Sequence, residues 1–187
     1  AEASEATSGA TIIGIVGHAD LILPLDQLDE VLDAHEDAGG GRFRGIRDAL
    51  AAAPPDVPLM IAGHGTPGKA HDPDFQRGVA HLGERGFTYD TWQYHTQMED
   101  LLALARAVPG TTIVLDHFSP PIGVGPWAGR HDEVFEAWKP ALAAVAACPN
   151  VVAKLGGLAM PDNGFWPVGS DQRPDVDEFL AKQERWY

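Results

Sequence analysis

Residues 111–121 read TTIVLDHFSPP. A β-branched, apolar run from 111 to 116 predicts a strand. His117 follows it at once, and Pro120-Pro121 turn the chain sharply just beyond. An imidazole held at such a corner can orient a water or polarise a carbonyl, because its ordinary pKa lies near neutrality. Working outward, the same unit recurs on both sides. Upstream, the runs TIIGIV (11–16), FRGIR (43–47) and FTYDTW (87–92) each precede a stretch with apolar residues at helical spacing. Leu25, Leu28, Val31 and Leu32 form the first stripe, which Gly39-Gly40-Gly41 should stop. Phe75, Val79 and Leu82 form the second. Met98, Leu101, Leu102, Ala105 and Val108 form the third, with Thr96 and Glu99 at capping-box spacing ahead of it. Downstream, Val134, Phe135, Trp138, Leu142 and Val145 lead to VVAKL (151–155), and a last helix is expected from about Asp175.

Five strands alternating with helices, with no hairpin signal, predict parallel βαβ units in an α/β fold. No composition break divides residues 1–187, so a single domain is expected. Two architectures compete. An open, doubly wound parallel α/β sheet would be complete with five strands, whereas a (β/α)8 TIM barrel of roughly 250 residues would not. The alternation alone leans toward the open sheet. The strand ends tip the balance to the barrel, since all five carry polar groups: His18 and Asp20, Arg47, Asp90 with Trp92 and Tyr94, His117, and Lys154. Parallel α/β folds of both kinds gather ligands at that end. Arg47 offers a planar fork suited to a carboxylate. Arg44 would share its face unless a bulge intervenes, and a helix-facing salt bridge is expected for it.

Composition excludes several classes. The 187 residues carry 13 basic and 27 acidic side chains, a net charge of −14, which repels a phosphate backbone; no nucleic acid is expected as a partner. The longest apolar stretch, 141–147, is far short of the roughly 20 residues that span a bilayer, and AEASEATSGA at the start is not a secretory leader, so no membrane is expected. The single cysteine, Cys148, cannot form an intrachain disulfide and fits a buried structural role in a reducing, cytoplasmic setting. With 21 Gly and 15 Pro, the chain should have many loops between short elements. Phosphate-binding glycine loops, a G-x-S-x-G elbow, His-x-His, H-E-x-x-H and thiolate zinc cages are all missing from the sequence. His64, His71 and Asp72 are expected to face solvent in a loop, and no metal ligand is assigned.

Five motifs in fixed order carry a resemblance: GIVGHADL (14–21), FRGIR (43–47), YDTW (89–92), TIVLDH followed by prolines (112–121), and NVVAKLGGL (150–158). Together they resemble the amidohydrolase-related family of the amidohydrolase superfamily, with most likeness to its lactonase-like branch of sugar-acid and pyrone-dicarboxylate lactonases. The resemblance implies strands three to seven of a (β/α)8 barrel, truncated at both ends. The family's first-strand His-x-His and last-strand Asp have no counterpart here. It also implies that His117 orients a carbonyl or water and that Arg47 contacts an anionic group. Asp90 is the third candidate catalytic residue, and His18, Trp92, Tyr94 and Lys154 are candidate substrate contacts. The strand bearing Asp90 lacks the histidine ligand of metal-dependent relatives, with His95 coming only later. That favours lactone hydrolysis, by water attack on a His- and Arg-polarised carbonyl of a small anionic or lactone substrate. A zinc-dependent amidohydrolase or decarboxylase is the alternative, so the cofactor expectation is none, or a divalent metal such as zinc in the full-length protein. A further alternative is an inactive fragment or binding module, associating through its sheet edges as a homo-oligomer.

Overall fold

The computed structural model describes residues 11–57, 59–61, 65–166 and 173–187. The strands are β1 (Ile15–Gly17), β2 (Phe43–Arg47), β3 (Thr88–Thr91), β4 (Ile113–Leu115) and β5 (Val151–Ala153). The main helices are α1 (Leu25–Gly39), α2 (Pro73–Glu84), α3 (Met98–Ala107), α4 (His131–Ala146) and α5 (Val176–Gln183). All four strand pairs are parallel, in the spatial order β1-β2-β3-β4-β5. That order separates the two architectures. A doubly wound sheet reverses direction at a switch point, whereas sequential right-handed crossovers keep the helices on one face and curl the sheet toward a barrel. The structure is therefore a five-stranded arc of barrel type, with β1 and β5 at its edges.

One main core lies between the sheet and its helices. Leu28 and Leu32 of α1, Phe75, Val79 and Leu82 of α2, and Leu101 and Leu104 of α3 pack there on Ile46, Tyr89, Ile113 and Leu115. The first helix ends as the sequence predicts, with Gly40 left-handed at φ 54° just beyond it. A bulge sets the phase of β2. Ile15 pairs with Phe43 but Val16 with Gly45, so Arg44 is the extra residue. The inserted residue lets Phe43 and Ile46, three positions apart, both enter the core, and it leaves Gly45 and Arg47 on the other face. Gly45 is required there, because a Cβ would sit 2.3 Å from the Thr88 carbonyl oxygen. Among the described residues Arg44 forms no salt bridge. Its guanidinium donates to the carbonyls of Gly41, Phe43 and Ile13, tying the incoming chain to β2.

One other local expectation changes. No capping box forms at Thr96; residues His95–Gln97 make a 3-10 turn and α3 begins at Met98 without a side-chain cap. Asp72 is exposed as expected, and its carboxylate accepts from the Asp74 and Phe75 N–H groups as the N-cap of α2. His71 is paired with Asp100 at 2.8 Å, half exposed, and His64 lies outside the described residues. Among the described residues no helix is long and apolar enough to cross a membrane.

Candidate functional site

Side chains alternate along a strand, so the face opposite the helices takes every second residue. On β2 to β5 this places Arg47, Asp90, Asp116 and Lys154 at the carboxyl ends, and contacts join all four. Lys154 Nζ donates to Asp90 Oδ2 at 2.6 Å and lies 2.9 Å from Asp116 Oδ1. Arg47 Nε lies 3.3 Å from Asp116 Oδ2. The Thr88 hydroxyl donates to Asp90 Oδ1 at 3.1 Å. Both carboxylates are almost wholly buried, 2% exposed for Asp90 and 1% for Asp116, while the Lys154 and Arg47 side chains are 47% and 49% exposed. Among the described residues the Asp116 charge is balanced by Lys154 and Arg47. Burial opposes the charge on Lys154, but Asp90 and Asp116 together outweigh it and hold the ammonium pKa above its ordinary value.

His117 follows Asp116 in a strained turn. His117, Phe118 and Ser119 have φ of 57°, 57° and 54°, three non-glycine residues in the left-handed region. The imidazole packs on Gly157, where φ is 82° and an added Cβ would come within 2.3 Å of His117 Cγ. Its Nδ1 is buried with no hydrogen-bond partner among the described residues. Two devices hold the segment beyond it. The Trp138 indole N–H donates to the Phe118 carbonyl at 2.8 Å, and the His95 N–H donates to the Pro120 carbonyl at 3.1 Å. In return His95 Nδ1 accepts from the Ile122 N–H at 3.1 Å, and burial pulls the His95 pKa down to about 4.

His18 lies at the end of β1, exposed, with Nδ1 2.9 Å from the Arg47 carbonyl. His35 fixes that strand end through a 2.9 Å bond from Nε2 to the His18 carbonyl. The structure thus brings Arg47, Asp90 and Lys154 into one group and sets His18 against its edge. Trp92 and Tyr94 go elsewhere. Trp92 is 6% exposed and Tyr94 fully buried, in an apolar cluster with Ala51 and Ile122. The strand ends at Thr91, and beyond it the Trp92 carbonyl accepts from the Ala51 N–H at 3.0 Å. The Tyr94 hydroxyl donates to the Ile61 carbonyl at 2.6 Å. These two rings support the rim instead of lining its open face. Sequence reasoning missed Asp116. The signal was available, since Asp116 lies two residues beyond the inward-facing Val114 and so shares its face.

Among the described residues no group of three or more His, Cys, Asp or Glu is placed to hold a metal ion. The two carboxylates at the strand ends are already committed to Lys154 and Arg47. These residues therefore do not make a metal centre by themselves.

The profile of the amidohydrolase family matches residues 9–182. The chain belongs to the amidohydrolase family. It is 34% identical over 169 residues to an uncharacterised protein, y4mH, of Sinorhizobium fredii, covering 90% of this chain and 51% of that protein. It is 31% identical to an L-fucono-1,5-lactonase of Burkholderia multivorans, covering 80% of this chain and 45% of the lactonase. The chain thus spans about half the length of the curated relatives it matches. A crystal structure of an amidohydrolase from Burkholderia multivorans with bound zinc superposes with a TM-score of 0.63 at 26% identity, over 93% of this chain and 65% of that one. A second crystal form, with bound HEPES, gives 0.64 at 27% identity, over 96% and 67%. The amidohydrolase likeness extends to the fold, and the sequential five-stranded order agrees with it.

Proposed function

We propose that this amidohydrolase-family protein hydrolyses a lactone of a sugar acid or a related dicarboxylate. The observation that carries this reading is the Lys154–Asp116–Arg47 group beside Asp90, which presents two half-exposed cations held in place by two buried carboxylates. In the reaction, a water oxygen bonds to the acyl carbon and the ring C–O bond breaks, giving a carboxylate and a hydroxyl. Negative charge grows on the carbonyl oxygen before the ring opens. Preorganised cations aimed at such an oxygen supply the largest share of many rate enhancements. Lys154 and Arg47 take that role, with Asp90 and Asp116 as positioning residues. His117, rigid in its left-handed turn, orients the attacking water. The lactonase name of a relative at 31% identity supports the substrate class.

We further infer that the five strands are part of an eight-stranded barrel whose remaining strands complete the site. Support comes from the sequential strand order and from Val16 and Val152, 43% and 53% exposed on the face opposite the helices. A lone, partly buried Cys148 suits a reducing, cytoplasmic setting. The test is substrate consumption and product formation, followed by chromatography, for the full-length protein on a panel of sugar-acid lactones, simple amides and carboxylic acids, before and after chelator treatment. Lactone turnover that survives chelation supports the proposal. Turnover of amides or release of CO2 alone, abolished by chelation, replaces it with a metal-dependent amidohydrolase or decarboxylase.

A further inference from the structure

A cleft of about 510 Å³ opens beside the reacting group, at the ends of β1 and β2, lined by His18, Asp20, Asp48, Thr66, Lys69 and Asp72 among others. Its floor is Asp48, 6% exposed. Lys69 Nζ donates to Asp48 Oδ1 at 2.7 Å and sits 4.9 Å over the Phe75 ring, which fixes the ammonium. Asp48 Oδ2 is buried and has no partner among the described residues. A carboxylate oxygen withdrawn from water without a donor is unfavourable unless something else supplies one.

His18 completes the set. The Arg47 carbonyl can only accept, so His18 Nδ1 carries the hydrogen in that 2.9 Å bond. The neutral ring therefore keeps its acceptor lone pair on Nε2, the nitrogen left for a ligand. The cleft thus brings together a carboxylate whose second oxygen is unpaired just beneath its surface, a ring-nitrogen acceptor and an ammonium with donors to spare.

We propose that this cleft is a hydroxyl-binding subsite for a polyol, read by Asp48, His18 and Lys69. A hydroxyl both donates and accepts, which matches neighbouring acceptors and a donor. An anion is disfavoured, because three aspartates line the cleft against one lysine. An organic cation is disfavoured as well, since Lys69 already occupies Asp48 Oδ1. Asp20 Oδ1 accepts from the Ile22 N–H and Asp72 Oδ1 from the Asp74 and Phe75 N–H groups, so the backbone fixes both carboxylates in the cleft wall. Arg47 links cleft and reacting group: its side chain faces Asp116, its carbonyl holds His18, and Asp48 is the next residue. This deepens the lactonase reading and rests on it for where the reacting carbonyl lies; the hydroxyl-bearing carbons of a sugar lactone then fall in the cleft.

The test compares kcat/KM of the full-length protein for a polyhydroxylated sugar lactone with that for an unsubstituted six-membered lactone. In D48N, and in H18A as a second variant, the ratio should fall about tenfold, the loss of one or two ligand hydrogen bonds. Thermal melts monitor folding of both variants. An equal fall on both substrates, or no fall, overturns the subsite. If wild type turns over no lactone, the lactonase reading fails separately, and the subsite is then judged by calorimetric binding of a neutral alditol. Binding weakened by D48N or H18A sustains it. Absence of binding, or tighter binding of an alkylamine, overturns it.

Discussion

Acidification should loosen the turn behind His117 through His95. The ring is mostly buried and lies 5.9 Å from the Trp127 ring, edge to face. Its Nδ1 accepts the Ile122 N–H at 3.1 Å, a bond that exists only while that nitrogen is unprotonated. Burial lowers the pKa from 6.5 to about 4. In the unfolded chain His95 binds its proton near pH 6.5, whereas the folded protein resists protonation until about pH 4. The unfolded state therefore holds more protons across that window, and stability falls as the pH drops through it. At 1.36 kcal/mol per pKa unit, the His95 contribution to this loss is about 3 kcal/mol between pH 7.5 and pH 4. Other groups titrate over the same range, so the reference is His95→Phe, which keeps a ring against Trp127 and removes the titration. Urea midpoints of both proteins, measured at half-unit intervals, give two curves. The wild type should be the more stable at pH 7.5, and its advantage should shrink or reverse toward pH 4. Parallel curves would refute the assignment of a buried, neutral His95.

Lys154→Met should separate charge from packing. It leaves Asp90 and Asp116 buried with Arg47 as the remaining cation in the group. With Lys154 half exposed, the expected stability cost is about 1–2 kcal/mol, below that of a fully buried pair. The kcat on any substrate whose transition state gathers negative charge there should fall about 10²-fold or more; retention of wild-type kcat would remove Lys154 from the reaction. Gly157→Ala forces a Cβ against the His117 ring at a left-handed φ, so a cost of about 2–4 kcal/mol is expected, seen as a fall in Tm of several degrees. Gly40→Ala is the matched control. It also has positive φ but meets nothing within 4 Å, and about 1 kcal/mol should suffice. Equal costs at the two glycines would mean that the His117 contact is unimportant.

The elements legible in the sequence were those whose local pattern and tertiary partner agree. FRGIR became β2 without change, because Phe43 and Ile46 each find the core once the bulge at Arg44 re-phases them. TIIGIV shrank to Ile15–Gly17, with Ile12 and Ile13 before it 43% and 80% exposed. Thr96 and Glu99 had the right spacing for a cap, but the Gln97 side chain instead bonds the Leu50 carbonyl and the Ala52 N–H, holding a 3-10 turn against the 50–52 segment. Arg47, Asp90 and Lys154 were legible as strand-end groups. Asp116 and Asp48 were not, since attention fell on the histidine after one and the arginine before the other. The placement of Trp92 and Tyr94 depended on where β3 stops, and strand ends are set by pairing partners that a single sequence does not display.

The polarity of the site follows from the same alternation. A chain with a net charge of −14 should surround its ligands with negative potential, a poor start for binding an anion or stabilising an oxyanion. At the strand ends the order of burial reverses this locally. Asp90 and Asp116 lie inward at 2% and 1% exposure, and Lys154 and Arg47 lie outward at about half. The four formal charges cancel, but the outer layer is positive and the inner layer negative, so a group arriving from solvent meets the cations first. Four consecutive parallel strands supply this stacking, one charge each: Arg47 and Asp90 pair in register, and Asp116 and Lys154 stand two residues beyond the register partners Val114 and Val152. A doubly wound sheet of identical composition, with its strand order reversed partway, would separate these four ends and lose the layer. Strand order, more than the presence of any one residue, gives this acidic protein a positive outer layer at its strand ends.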